Sequence, residues 1–414
     1  MASQLEQAQR LAKEAPQQAI ELYSSVLFAD SASSFTVADR EVALLSLAAL
    51  FERMQDAAAL TKLINGSQGY LTAVSKAKSS KLIRTLVDRF NGIEGGLQPQ
   101  IATCQGMVEW ARGENREYLR QALETRLISL YLDNRMYTEA LALISLLLSE
   151  LKKLDDKMQL VEVHLLESRV YMAIKNLPKS RAALTSARTA ANSIYTPPPL
   201  QAHLDLQSGT LHADEGDFKT AYSYFFETME GLAVYVTPKG TDEHATSAAG
   251  DLSSAGSPAT YEQRQLQAFA YMLLCKIMIQ QPDDITALLA TGKTASKFRD
   301  HRAVAALQAV AKAQKQRSLS DFERVLSEYR DELQNDELIR NHLTALYDTL
   351  LEQNLVRLIE PYSRVEIAHI AKLIGLPIRV VENKLSQMIL DKVFYGILDQ
   401  GNGCLVIFPE AKHD

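Results

Sequence analysis

The chain has 414 residues, 47% of them hydrophobic and 23% charged, and a net charge of −6. That length exceeds one ordinary domain and supplies ample core, so two or more structural units are expected. The acidic balance argues against a general role on nucleic acid or on an anionic membrane.

Only 12 prolines and 18 glycines occur, so helix is favoured over sheet. Cys104, Cys275 and Cys404 are far apart with no CxxC pair. They read as buried free thiols in a reducing compartment, not as a zinc site or disulfide framework. The opening MASQLEQAQRLAKEA lacks the apolar core of a signal peptide. The longest apolar-rich run, Ala140 to Leu151, is too short and interrupted to cross a bilayer. A soluble intracellular protein is expected.

In the N-terminal third, Pro16 to Tyr23 and Asp56 to Ile64 each resemble the second helix of a pair. The middle is more regular. Leu119, Leu123, Leu127 and Leu130 share a helical face, and Asp133-Asn134-Arg135 breaks it. The next helix begins at Tyr137 and presents Ala140, Leu141, Ile144, Leu148 and Leu151. A second pair runs from about Met158 to Lys175, breaks at Asn176 and restarts at Leu177-Pro178, where proline suits a helix start. A third runs from about Pro199 to Glu215, turns at Gly216-Asp217 and restarts at Phe218.

The restarts Tyr137, Leu177 and Phe218 lie 40 and 41 residues apart, each followed three positions later by a small residue, Ala140, Ser180 or Ala221. Small residues there let paired helices approach closely. The pattern predicts tetratricopeptide-like helix pairs in a right-handed α-solenoid, with a period longer than the usual ~34 residues. Thr237 to Gln263, rich in Gly, Ser, Thr and Ala, reads as a disordered insertion between helices. Helices resume from Arg264 to Leu358.

Signals for chemistry are weak. Gly292-Lys293-Thr294 resembles part of a phosphate loop, but the required earlier glycine is Ala287 and the preceding segment reads as helix. A helix C-terminus at Gly292 is the better reading. His164 and Glu167 share a helix without a second histidine at metal-ligand spacing, and Trp110 alone makes no stacking platform. No catalytic residue, cofactor or metal is expected.

The last fifty residues have the outline of a winged helix. A first helix is predicted from about Arg364 to Ile374, with Val365, Ile367, Ile370 and Leu373 as core candidates. Gly375 makes the turn and Pro377 begins the helix that would read a major groove in a DNA-binding relative. Strands follow at Val393 to Asp399 and Cys404 to Phe408, joined by Gly401-Asn402-Gly403 with Asn-Gly supplying positive φ. From Asn341 onward seven Lys/Arg face nine Asp/Glu, a poor start for gripping phosphates. An unpaired sheet edge suits a protein partner better, through main-chain pairing. Phe394, Tyr395, Ile397, Leu398, Leu405 and Ile407 are the candidate interface. The expected division is 1–216 and 217–340 for the solenoid, and 341–414 for the winged helix.

LYDTLLEQNLVRLIEPYSRVEIAHIAKLIGLP, followed by VENKLSQMILDKVFYGILDQGNG, resembles the PCI-domain subunits of the 26S proteasome lid. The resemblance continues in YLRQALETRLISLY, ELKKLDDKMQLVEVHLLESRVY, NLPKSRAALTSARTAANSIY and AYMLLCKIM, covering most of the chain from about Glu109. It implies a non-catalytic scaffold of cytoplasm and nucleus that serves ubiquitin-dependent degradation. Its PCI domain would join other lid PCI subunits side by side through their winged-helix sheets. Its solenoid would clamp the lid to the ATPase ring and a core-particle α-subunit, and help hold the lid deubiquitinase module.

The resemblance also implies a long helix after the wing, so an end at Asp414 reads as a truncated form. A paralogous PCI subunit of the signalosome would share this architecture, but a long acidic N-terminus is expected there. The reading from another class is a winged-helix nucleic-acid-binding protein.

Overall fold

The computed structural model describes Ala8, Leu11 and residues 15–28, 36–236, 258–291 and 295–408. Contacts separate two compact units, one running to Pro197 and one beginning at Pro198. The described residues form helices and, near the C-terminal end, one small sheet.

The first unit contains α1 (Pro16–Leu27), α2 (Val37–Met54), α3 (Ala57–Gly66), α4 (Gln68–Ala73) and α5 (Lys76–Asp88). After a 3-10 turn at Arg89–Gly92 come α6 (Leu97–Gly113), α7 (Glu117–Asp133), α8 (Tyr137–Leu154), α9 (Lys157–Ala173) and α10 (Leu177–Asn192). Several starts are capped by side chains that accept from amides left without an intrahelical partner. Thr36 and Asp39 form a reciprocal capping box on α2, Asp56 caps α3, Asp156 caps α9, and Asn176 caps α10.

The second unit begins with α11 (Pro198–Asp214), α12 (Phe218–Val236), α13 (Pro258–Met278), α14 (Pro282–Thr291) and α15 (Ala295–Phe298). It continues through α16 (Arg302–Gln316), α17 (Leu319–Glu328), α18 (Arg330–Gln334) and α19 (Glu337–Ile359). The winged helix follows as β1 (Arg364–Glu366), α20 (Ile367–Ile374), α21 (Ile378–Leu390), β2 (Gly396–Asp399) and β3 (Cys404–Ile407).

The repeat expected from the sequence is present. Helices α8, α10 and α12 start at Tyr137, Leu177 and Phe218, and Ala140, Ser180 and Ala221 are all fully buried. Ser180 uses the close approach directly: its hydroxyl donates to the Ser168 carbonyl at 2.9 Å across the α9–α10 pair. On α11 the small residue is Gly209, where an added Cβ would stand 2.6 Å from the Phe225 ring of α12.

One turn recurs through both units. After α2, α6, α7, α9, α11, α13 and α16 a residue enters the left-handed region: Gln55, Asn115, Arg135, Lys175, Gly216, Gln280 and Arg317. The next amide then donates to the carbonyl five residues back, as in Met136 to Tyr131 (2.8 Å) and Asn176 to Tyr171 (2.9 Å). This Schellman closure satisfies carbonyls that the helix end leaves open. Only Gly216 in this series is glycine.

Three expected boundaries move. Helix α13 begins at Pro258, so 258–263 are helical where a loop was expected. Tyr261 is the reason: it is buried against Ala202 and Leu232, an apolar anchor in a stretch of small residues. The remainder of that insertion, 237–257, and Gly292-Lys293-Thr294 lie outside the described residues.

Arg364–Glu366, expected as the first turn of a helix, is strand β1. Its exposed-buried-exposed alternation has the period of a strand, and it pairs antiparallel with β3. The sheet is therefore three-stranded, in the order β1-β3-β2. With the helix starting at Ile367, Leu373 falls roughly two-thirds of a turn out of phase with it and is exposed, not core. Finally, β2 starts at Gly396 because Lys392 closes α21 in the same left-handed turn.

Helix α19 belongs to two cores at once. Leu338 to Leu350 pack with α12, α13 and α16, whereas Leu351, Leu355 and Ile359 pack into the winged helix. Asp336 anchors its start. One carboxylate oxygen accepts from the Leu338 and Ile339 amides (3.0 and 3.4 Å), and the other accepts from the buried Tyr271 hydroxyl of α13 at 2.7 Å. Burial, then the Asp336 charge, pushes the Tyr271 phenol well above its usual range. The winged helix is thus built on a rod fixed in the helical core.

Candidate protein-interaction site

The winged helix has a hydrophobic core of its own. Ile367, Ile370 and Ala371 of α20 and Val381, Leu385 and Met388 of α21 close over the end of α19. The sheet supplies Val365 and Leu405, which face each other across β1 and β3. Side chains alternate across a strand, so neighbours of these inward residues point outward.

That alternation sorts the candidate interface residues. Leu405 is fully buried on the central strand. Leu398, opposite it on β2, is partly buried against the same core, as are Ile407 and Phe394. Tyr395 and Ile397 point the other way and are 51% and 58% exposed. Phe408, whose amide donates to the Tyr395 carbonyl at 2.8 Å, is exposed beside them. Sequence reasoning did not include Phe408 in the interface, although its position one past Ile407 gives the outward phase. Tyr395, Ile397 and Phe408 make an apolar outer face on the sheet.

The free edge can be read residue by residue. Because Tyr395 bonds to Phe408, antiparallel alternation gives Ile397 and Asp399 the inward hydrogen-bonding positions along β2. The amides and carbonyls of Gly396 and Leu398 then point away from β3. Gly396 fits for a second reason: a Cβ there would stand 2.7 Å from the Val406 carbonyl oxygen.

The wing turn is held by Asp399. Its carboxylate accepts from the Gly401 and Asn402 amides (3.1 and 3.2 Å) and from the Asn402 side chain (2.7 Å). The bond from the Asn402 side chain is the main reason its pKa is lowered from the usual value. Within the expected Asn-Gly pair, only Gly403 has a positive φ. The carboxylate clamp takes over the role given to Asn402 in the turn.

The helix that would enter a DNA groove is poorly equipped for phosphate. Lys384 turns back to α19, 2.8 Å from Glu352 and 3.9 Å from Asp348. The outward face of α21 shows Ile378, Val380 and Leu390. Elsewhere, the His164 ring meets Glu167 at 2.9 Å, and no cluster among the described residues could hold a metal ion. Burial pushes the Cys104 and Cys275 thiols up to about 12, far from a reactive thiolate. No described helix is long and apolar enough to cross a membrane.

A helical-repeat chain ending in a winged helix on a shared rod defines the PCI class, and the PCI domain family model matches residues 326–409. A second family model, described as the 26S proteasome regulatory subunit RPN6 N-terminal domain, matches residues 1–134. The chain is 49% identical over 399 residues to the probable 26S proteasome regulatory subunit rpn6 of Schizosaccharomyces pombe, covering 96% of this chain and 89% of that one. It is 45% identical to the 26S proteasome non-ATPase regulatory subunit 11 homolog of Arabidopsis thaliana, over 96% and 88%. With the 26S proteasome regulatory subunit RPN6 of Saccharomyces cerevisiae the identity is 43%, over 100% and 92%. The chain belongs to the RPN6/non-ATPase regulatory subunit 11 family of proteasome regulatory subunits.

Proposed function

We propose that this chain is a non-catalytic scaffold of the proteasome lid, acting in ubiquitin-dependent degradation in cytoplasm and nucleus. Its winged helix joins neighbouring lid PCI subunits. Its helical repeats clamp the lid to the ATPase ring and a core-particle α-subunit, and steady the lid deubiquitinase module. The observation that carries the joining role is the β2 edge, with Gly396 and Leu398 offering unpaired main-chain groups beside exposed Tyr395 and Ile397. An unpaired edge beside an apolar face is a liability in a monomer and a binding element in an assembly.

The test is affinity purification of the tagged chain followed by mass spectrometry. Lid, ATPase and core-particle subunits are expected together. Recovery of cullins and signalosome subunits without proteasome subunits would contradict the proposal. So would a salt-dependent shift of duplex DNA in place of protein partners.

A further inference from the structure

From residue 57 to 87 the chain has no aspartate or glutamate, against Lys62, Lys76, Lys78, Lys81 and Arg84. That run stands apart in a protein of net charge −6. Lys76, Lys78 and Lys81 fall in the first two turns of α5, and all three are exposed. None of them meets a carboxylate of the described residues. Their placement works against the helix that carries them. A helix N-terminus has a partial positive charge and favours acidic side chains, yet the first turn of α5 has none. Lys78 and Lys81 are neighbours at i,i+3, as are Lys81 and Arg84, and like charges on one helix face repel. Ser75 makes no side-chain cap, so no side chain offsets the open amides there. The one carboxylate of α5, Asp88, stands at the opposite end, 3.1 Å from Arg126 of α7.

We infer that the exposed start of α5 docks an acidic segment of a partner protein. Carboxylates there pair with the three ammonium groups and complement the helix dipole, relieving both local conflicts at once. Lys76 and Lys81 lie about 7.5 Å apart along the helix axis. That footprint suits two or three carboxylates, whereas a duplex backbone needs a longer basic track. The net charge of −6 also opposes a polynucleotide or an anionic membrane at longer range. A lysine ammonium is a point charge on a flexible stem, which suits carboxylates arriving on an irregular segment. The inference does not rest on the sheet edge and survives its failure.

The test begins with the tagged chain purified together with its partners. A zero-length carbodiimide joins an ammonium to a carboxylate only where the two touch, and peptide mass spectrometry locates the link. Lys76, Lys78 or Lys81 should be linked to Asp or Glu of another protein. For the free full chain, an acetylated hexaglutamate peptide is the probe, with binding that weakens as salt rises. A variant carrying Lys76→Glu, Lys78→Glu and Lys81→Glu should bind it roughly tenfold more weakly, the scale of three surface ion pairs. The new glutamates suit a helix start, so this variant should be no less stable in denaturant, which separates lost binding from lost folding. The same charge change at the exposed Lys152, Lys153 and Lys312 should leave binding intact. Absence of links from the three α5 lysines to another protein would overturn the inference. So would an equal loss in the control variant, or tighter binding of duplex DNA or phosphatidylserine vesicles than of the peptide.

Discussion

At the residue scale, packing and backbone conformation make opposite demands. Gly209 has no room for a methyl group, because the Phe225 ring occupies it. Gly209→Ala is therefore expected to destabilise by about 1–3 kcal/mol through overpacking, seen as lost hydrogen-exchange protection in α11 and α12. Arg135 is the reverse case. It is exposed, in the left-handed region at φ 61°, and strained for any side chain. The strain costs ~1–2 kcal/mol, offset in part by glycine's greater flexibility when unfolded. Arg135→Gly should leave the first unit as stable or up to about 1 kcal/mol more so, measured by denaturant unfolding followed through Trp110.

Asp399 makes a pH statement at the same scale. Its folded pKa lies below the usual 3.8, so the clamp on the wing turn is intact above that value. The contribution is lost as pH falls below 3.8 and through the lowered folded pKa, because the protonated carboxyl accepts less well. Amide exchange at Gly401 and Asn402, corrected for intrinsic pH dependence, should lose protection only in that acid range. Asp399→Asn should shift the loss out of the profile altogether.

At the element scale, helix pairs were legible because their requirement falls on single letters. A small residue three positions into Tyr137, Leu177 and Phe218 recurs with the period and is buried in each case. The turns were much less legible. Left-handed closures at Gln55, Asn115, Lys175 and Gln280 use polar residues, so no glycine marks them. Strand β1 was hidden for another reason: three residues carry little periodicity, and the partner that makes them a strand is β3, some forty positions later.

The candidate interface was half legible. Its six letters are all apolar or aromatic, and alternation separates them into two faces. Nothing in the hairpin alone says which face meets α21. The core took Leu398, Leu405, Ile407 and Phe394, leaving Tyr395 and Ile397 outside. The same register distinguishes two substitutions at one position. Ile397→Pro removes an amide that faces Val406 and should unfold the wing itself. Ile397→Glu keeps that amide and should leave the winged helix folded, a contrast that circular dichroism and thermal unfolding can resolve.

At the scale of the whole molecule, each unit has its own core and at least one buried thiol. Cys104 lies in the first and Cys275 in the second, both with pKa values pushed up to about 12. Neither should react with iodoacetamide at pH 8 in the native protein. On a urea gradient each should become reactive as its own unit opens, with Cys404 distinguished by peptide mapping. Coincident labelling of Cys104 and Cys275 at all urea concentrations would show that the two cores unfold as one.

The central claim is that the outer face and edge of β2 join this chain to its neighbours in the lid. Its most direct measurement is a native gel of proteasomes from cells whose only copy carries both Tyr395→Glu and Ile397→Glu. The expected result is a folded, soluble chain migrating free of the lid, with helix protection in α11 to α19 unchanged. Normal incorporation of the double variant into intact lid would contradict the account.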